Sequence, residues 1–228
     1  MVSEATLLHR YSFTADASDS IGGLAGTVNG GVTFTGGQAQ FPGGALSTNI
    51  ALPTTIFGWY TSVSIETWVS TTSANTVWNR VFQFGVSASD NIHDTVAISR
   101  NGGTGQFDIR YCTASGNCLD TALGPTFASQ TNVHVVLTLA VGGFPTVYIN
   151  GAMVGSSAIL MTAFPVVNAF NVGIATEGTT STSFLYGSVD EIRVWGGLLS
   201  PQAISFNYAM GSGSASTFIM VLMQYTPT

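Results

Sequence analysis

The stretch GSVDEIRVWGGLLSPQAI, Gly187 to Ile204, carries the strongest fold signal in this chain. Its first half is a short strand-like run that contains an acidic pair, an arginine and a tryptophan. In its second half Ser200 is a good helix N-cap and Pro201 suits the first helical position. Gly211 can then take the left-handed conformation that ends a helix. The stretch therefore predicts a strand followed at once by one short helix.

The two adjacent acids of this stretch bear on catalysis. Neighbouring residues of a strand project to opposite faces, so we expect Asp190 to share the apolar side of Ile192 and Val194. Glu191 then lies on the other face with Val189, Arg193 and Trp195, where it can pair with Arg193. A retaining glycosidase needs two carboxyl groups about 5–5.5 Å apart. Acids on opposite faces do not meet that requirement, so we expect no catalytic carboxylate pair here.

The rest of the chain repeats the signals of short strands. Apolar and polar residues alternate in segments such as 7–14 and 62–70, and turn residues separate the segments. Asn150-Gly151 is the strongest hairpin signal, because a type I′ turn needs positive φ at both central residues. The pattern predicts an all-β, antiparallel β-sandwich of the jelly-roll type with one short helix near its C-terminal side. We expect residues 1–211 to form this sandwich and residues 212–228 to form a Gly/Ser spacer and an apolar tail.

The composition disfavours several kinds of partner. Charged residues make up only 7% of the 228-residue chain, and the formal net charge is −6. Nucleic acids and anionic membrane surfaces both recruit clusters of Lys and Arg, so we expect neither as a partner. No run of about 18 apolar residues occurs, so we expect no membrane span.

Two cysteines, Cys112 and Cys118, flank the turn-prone segment TASGN. Their spacing fits no common zinc site. They can close as a local disulfide, which indicates an oxidising compartment. The alternative is a pair of reduced, half-buried thiols.

Four segments carry a family resemblance: LLHRYSFT, SVSIETWVS, VYINGAMVGSS and GSVDEIRVWGGLLSPQAI. In this order they resemble the opening strand, the early tryptophan strand, the hairpin and the closing strand of the laminin-G-like branch of the concanavalin A-like lectin/glucanase superfamily. The resemblance runs from Leu7 to Met210. It implies a non-catalytic module, extracellular or at the cell surface, that binds a glycan or an extracellular protein in adhesion. The superfamily's glucanases place carboxylates at alternate positions of one strand, whereas SIETWV offers Glu66 alone, so we expect no enzyme.

The resemblance also implies a metal site. Many laminin-G-like domains hold calcium at the rim of the sandwich, and calcium prefers six to eight oxygen ligands. We therefore expect Asp19 and Asp190 as candidate calcium ligands, supplemented by backbone carbonyls. The alternative is that Asp190 accepts backbone N–H groups, which a buried carboxylate needs when no cation is present.

Loop residues are the candidates for glycan or partner binding. Pyranose rings stack on aromatic side chains, and the segment SASDNIHDT adds acidic and amide groups. The candidates are Trp59, Tyr60, Trp78, Asp90, Asn91 and Asp94. The acidic segment is alternatively a solvated turn whose side chains bond their own backbone. We expect the other tryptophans, Trp68 and Trp195, to pack in the core, and His9 and His134 to be structural.

The tail TFIMVLMQY is apolar on both faces if it forms a strand. Such a segment aggregates unless it is buried, either in its own sandwich or against a partner chain. Its candidate assembly residues are Phe218, Ile219, Met220, Val221, Leu222 and Met223. The tail supports an alternative function, a structural subunit of an extracellular filament or surface layer that self-assembles into a homo-oligomer.

Overall fold

The computed structural model describes residues 5–44, 47–75, 78–86, 94–174 and 184–214. Within them two antiparallel sheets pack face to face. The strands are β1 (Thr6–Tyr11), β2 (Thr27–Asn29), β3 (Thr33–Thr35), β4 (Gln38–Pro42), β5 (Asn49–Ala51), β6 (Ser62–Thr71), β7 (Arg80–Gly85), β8 (Thr95–Arg100), β9 (Gln106–Cys112), β10 (Cys118–Thr126), β11 (Val133–Ala140), β12 (Thr146–Ile149), β13 (Ala152–Ser156), β14 (Ala169–Val172) and β15 (Tyr186–Gly196). One helix, α1 (Pro201–Met210), follows β15.

The first sheet has the strand order β13-β12-β11-β6-β15-β4-β3, with β1 also paired to β15, and the second has the order β10-β9-β8-β7-β14-β5-β2. We name the two ends of the first sheet after β6. β6 begins at the Ser62 end, where its residue Val63 pairs with Gly196, the last residue of β15. At the Thr71 end β6 finishes opposite Gly187, near the start of β15.

The alternation in β6 shows why the chain forms a sandwich. Val63, Ile65 and Val69 are buried between the sheets, whereas Glu66 and Trp68 lie on the outer face. Two apolar faces can leave water only by packing on each other, which is the two-layer solution of an antiparallel all-β domain. The predicted antiparallel β-sandwich is confirmed.

The predicted helix is also present. Ser200 accepts the Ala203 N–H at 3.2 Å, Pro201 occupies the first turn, and Gly211 ends the helix with φ of 76°. Ile204 anchors the helix in a small apolar cluster on the outer face of the first sheet. The hairpin prediction is confirmed too, because Asn150 and Gly151 join β12 to β13 with φ of 49° and 80°.

The prediction that Asp190 lies on the same side of the strand as Ile192 and Val194 is wrong. The register of β15 against β6 shifts between Val189 and Glu191, which leaves Asp190 as the extra residue of a β-bulge. As a result Val189 joins Ile192 and Val194 in the core between the sheets. Simple alternation fails here because a bulge inserts one residue into the two-residue period.

The first residues of the predicted spacer lie against β15. Ser212 Oγ donates to Asp190 at 2.6 Å, the Gly213 N–H donates to Glu191 at 3.0 Å, and Arg193 donates to the Ser214 carbonyl at 2.8 Å. The six assembly candidates of the tail, residues 218–223, lie outside the described residues, so their role stays a prediction.

Cys112 and Cys118 form a disulfide. They face each other across the hairpin of β9 and β10. This resolves the alternative between a bridge and two free thiols.

Candidate functional site

Asp19 sits inside a ring of N–H donors. Its Oδ1 accepts the N–H groups of Arg10, Ile21 and Gly22 at 3.0 to 3.1 Å, and its Oδ2 accepts His9 Nδ1 at 2.7 Å and the Leu24 N–H at 3.0 Å. Burial would raise the pKa of Asp19, but these hydrogen bonds outweigh it and lower the pKa to about 2. His9 is therefore structural, as expected.

The donors around Asp19 do not fit a calcium ion, because N–H groups point at both carboxylate oxygens. Asp190 accepts the Ser212 hydroxyl and, from the part of the chain that the structure describes, no backbone N–H. Among the described residues no three His, Cys, Asp or Glu side chains are grouped closely enough to hold a metal. Calcium binding by Asp19 and Asp190 stays an untested prediction.

A buried charge network lies on the outer face of the first sheet, beneath α1. Glu66 on β6 accepts His134 Nε2 at 2.8 Å, Trp195 Nε1 at 3.0 Å, Asn207 Nδ2 at 3.2 Å and Arg193 at 3.5 Å. The side chains of Glu66 and His134 are both 0% exposed. A buried carboxylate with four donors holds the helix onto the sheet and is closed to any substrate.

Glu191 completes the network. It accepts Arg10 Nε at 2.8 Å, Arg193 Nε at 2.5 Å and the Gly213 N–H at 3.0 Å. Burial raises the pKa of Glu191, but the contacts with Arg10, Arg193 and Gly213 lower it further than burial raises it. The expected Glu191–Arg193 pair is confirmed, and its role is structural.

Trp68 and Trp195 are buried as expected, but outside the core between the sheets. Trp195 belongs to the cluster under α1. The Trp68 ring lies 4.6 Å from the Arg193 guanidinium and 4.6 Å from the His134 ring. Both tryptophans therefore pack the charge network under the helix.

The second sheet carries another acidic pair that the sequence reasoning missed. Asp108 on β9 accepts Ser99 Oγ at 3.3 Å and Asn101 Nδ2 at 3.2 Å, and Arg110 neutralises Asp120 at 2.6 Å. Burial raises the pKa of Asp108 to about 6, and the charge of Asp120 adds to the effect. Alternation in GQFDIRY places Asp108 and Arg110 opposite Phe107 and Ile109, so the pattern could have revealed this face.

A groove of about 610 Å³ opens at the Thr71 end. It lies between β3, β4, β6, β15 and the loop at 130–131, and every residue that lines it is uncharged. Its polar lining residues include Thr33, Gln40, Ser70, Thr71, Gln130 and Ser188.

Backbone contacts hold the walls of the groove in place. The Gln130 N–H donates to Thr71 Oγ at 3.1 Å, and the Asn132 N–H donates to Ser70 Oγ at 2.8 Å. A Cβ at Gly187 would lie 2.0 Å from the Ser70 carbonyl oxygen, so only glycine allows this close approach of β15 and β6. No sequence motif marks the groove, because its residues are common surface types from segments far apart in the chain.

The four candidate glycan-binding residues that the structure describes do not form one site. Trp59 is 100% exposed and Tyr60 lies beside it, immediately before β6 at the Ser62 end. Trp78 precedes β7 and packs against Gly102, where a Cβ would lie 2.5 Å from the indole. Asp94 precedes β8, and its N–H donates to the Thr113 carbonyl at 3.2 Å. Asp90 and Asn91 lie outside the described residues.

The fold and this distribution of sites define an antiparallel β-sandwich with a lectin-like architecture. A laminin G family model, described as the concanavalin A-like lectin/glucanases superfamily, matches residues 42–205. The chain belongs to this family, as the four sequence segments suggested. A search of curated proteins finds no match.

Several solved structures share the fold. One is domain 4 of AbnA, a GH43 extracellular arabinanase from Geobacillus stearothermophilus, in complex with arabinotriose. It is 23% identical in sequence to this chain, and the two superimpose with a TM-score of 0.68 over 90% of this chain and 98% of that domain. The Trypanosoma rangeli sialidase bound to the inhibitor DANA is 17% identical with a TM-score of 0.68, over 91% of this chain. The binding domain of botulinum neurotoxin serotype G is 16% identical with a TM-score of 0.65, over 90% of this chain. This chain spans only 33% of the sialidase and 51% of the toxin domain.

Proposed function

We propose that this chain is a non-catalytic, extracellular carbohydrate-binding module whose groove at the Thr71 end binds a neutral saccharide. The observation that carries the proposal is the uncharged groove lined by hydroxyl and amide side chains. Such groups donate and accept hydrogen bonds with sugar hydroxyls, and neither sign of charge has to be desolvated.

The lining also favours one class of glycan. A sialylated glycan carries a carboxylate, which an arginine fork would recognise, but the groove has no arginine or lysine among its lining residues. The chain as a whole is also acidic, with a formal charge of −6. This net charge repels an anionic glycan but not a neutral oligosaccharide.

The acids of the described residues support a role without catalysis. Glu66 and Glu191 are buried and bound to arginine or histidine, and Asp120 is paired with Arg110. Asp108 is buried and accepts hydrogen bonds from Ser99 and Asn101. None of these carboxylates stands in the groove, where a glycosidase would need two of them.

An extracellular location is consistent with the Cys112–Cys118 disulfide, which persists in oxidising compartments. The AbnA domain comes from an extracellular arabinanase, which supports the same location by analogy.

Titration calorimetry with neutral oligosaccharides, including arabino-oligosaccharides, tests the proposal. We expect Gln130→Ala to weaken binding about fivefold, since one neutral hydrogen bond contributes roughly 1 kcal/mol. We expect Thr33→Trp to abolish binding, because an indole at this exposed position fills the groove. Gln202→Ala, an exposed amide on α1, is the matched control and should bind normally.

The proposal is wrong if no neutral glycan binds at millimolar concentration, or if both groove variants bind like the parent chain. A preference for sialylated over neutral glycans would overturn the assigned glycan class. Release of reducing ends from a bound glycan would overturn the non-catalytic assignment.

A further inference from the structure

Four loops meet at the Ser62 end of the sandwich and expose apolar side chains. The Val141 N–H donates to the Thr61 carbonyl at 3.0 Å and the Gly197 N–H donates to the Ser62 carbonyl at 2.8 Å, which joins three of the loops. The fourth is joined through Met161, whose carbonyl accepts the Gly142 N–H at 2.7 Å. We define the apolar rim as six exposed apolar side chains of these loops: Trp59, Tyr60, Val141, Phe144, Leu160 and Leu198.

The loops of the rim carry no charge. The chain has no Asp, Glu, Lys or Arg from residue 121 to residue 176, nor from residue 194 to its end, nor from residue 20 to residue 65. All four loops fall within these ranges. In a protein with a formal charge of −6 these four loops are therefore both apolar and uncharged, and the acidic residue that the structure describes at this end, Asp94, lies in the separate connection between β7 and β8. Several exposed apolar side chains gathered at one end of a protein indicate an interaction site.

Part of the loop backbone is hydrogen-bonded within the protein. The Gly58 N–H donates to Thr55, the Tyr60 N–H to Phe57 and the Met161 N–H to Gly143, at 2.8 to 3.2 Å. Burying an unbonded N–H or carbonyl is costly, and most of all in lipid, where water cannot replace the lost bond. These N–H groups keep their partners when the loops leave water.

We propose that the apolar rim is a membrane-docking surface that inserts its side chains into the interface of a zwitterionic phospholipid bilayer. Tryptophan, tyrosine and phenylalanine favour the headgroup level of a bilayer, and aliphatic side chains favour the acyl boundary. A zwitterionic surface has no net charge, so it requires no basic residues and does not repel this acidic chain. Docking differs from spanning, since no helix among the described residues is long and apolar enough to cross a membrane.

The shape of the rim favours lipid over a second copy of the chain. Trp59 is 100% exposed and projects from its loop next to Gly58, whose φ is 55°. The rim side chains come from separate loops, so a protein partner would need a matching pocket for each of them. A fluid bilayer interface accepts separate projections without a complementary surface.

The arrangement also gives the docked protein a direction. The groove and the rim lie at opposite ends of β6, which has 10 residues. At about 3.3 Å per residue they are roughly 30 Å apart. A molecule docked by its rim would therefore hold its groove away from the lipid.

Vesicle flotation of the full chain tests the inference. The probe is phosphatidylcholine vesicles, with a second set containing 30% phosphatidylserine as the anionic arm. We expect the chain to float with phosphatidylcholine, to be insensitive to 1 M NaCl because no ion pair is involved, and to bind no better when phosphatidylserine is present. Trp59 fluorescence should shift to the blue on binding, since this indole leaves water.

Variants separate docking from folding. We expect Trp59→Ser to weaken vesicle binding about tenfold and to remove the blue shift, and the triple change with Phe144→Ser and Leu198→Ser to abolish flotation. Met153→Ser, an exposed apolar residue of β13 away from the rim, is the matched control and should bind like the parent chain. Unchanged melting temperatures would show that all of these variants fold.

Three outcomes would overturn the inference. The chain could fail to float at millimolar lipid, the triple variant could float as well as the parent, or light scattering could show a dimer that the same changes dissociate. The last result would assign the rim to a second copy. Glycan titration by the groove is independent of all three, so failure here leaves the proposed function untouched.

Discussion

Replacing Glu66 by glutamine is the sharpest test of the buried charge network. Glu66 is fully buried and accepts bonds from His134, Arg193, Trp195 and Asn207. The amide keeps the size of the side chain but removes its charge. The substitution also replaces one of the two acceptor oxygens with an NH2 group. This donor must then face either the His134 donor or the donors of Arg193, Trp195 and Asn207.

The expected cost follows from these contacts. Removing one partner of a buried ion pair destabilises a protein by about 3–5 kcal/mol, because a charge is left buried without its partner. Arg193 keeps its bond to Glu191, so we place Glu66→Gln near the lower limit, at about 3 kcal/mol. For a chain of this length each kcal/mol lowers the melting temperature by roughly 2–4 °C. We therefore expect a decrease of about 6–12 °C.

Urea unfolding and thermal melting followed by circular dichroism measure this change. Asp16→Asn is the matched control, because it makes the same carboxylate-to-amide change at an exposed residue. We expect its effect to be below about 0.5 kcal/mol. Arg193→Met and the double variant with Glu66→Gln complete a cycle that should give a coupling of about 1–3 kcal/mol. A loss under about 1 kcal/mol for Glu66→Gln would refute the view that this network holds α1 on the sheet.

Two further predictions concern pH. The pKa of Asp19 is about 2 in the fold, against an ordinary value of 3.8. Because a lowered pKa stabilises the fold at pH values above the ordinary one, the free energy of unfolding should fall as the pH drops from about 4 to 2. Acid-unfolding curves of Asp19→Asn should lack this pH dependence. The pKa of Asp108 is about 6 in the fold, against an ordinary value of 3.8. Because a raised pKa means that ionising Asp108 destabilises the fold, Asp108→Asn should be more stable than the parent chain at pH 8 but not at pH 4. Melting curves at both pH values would contradict this reasoning if the difference between the two proteins did not change.

The sequence determined the parts of this protein that depend on neighbouring residues. Period-2 alternation in SVSIETWVS predicts which side of β6 faces the second sheet, because a strand turns its side chains to alternate faces. Ser200 and Pro201 predict where α1 begins, and Asn150-Gly151 predicts a hairpin, since each acts within a few residues of itself. The family resemblance added that four segments follow one another along the chain in the order of the laminin-G-like strands.

Tertiary structure decided what depends on distant residues. The bulge at Asp190 cannot be read from alternation, because it arises from how β15 pairs with β6. Glu66 meets Asn207 across 141 residues, and the groove joins Thr33 to Ser188. The apolar rim likewise gathers loops that no motif connects. A sequence pattern reports local geometry, whereas binding surfaces form where remote segments are brought together by the packing of two sheets.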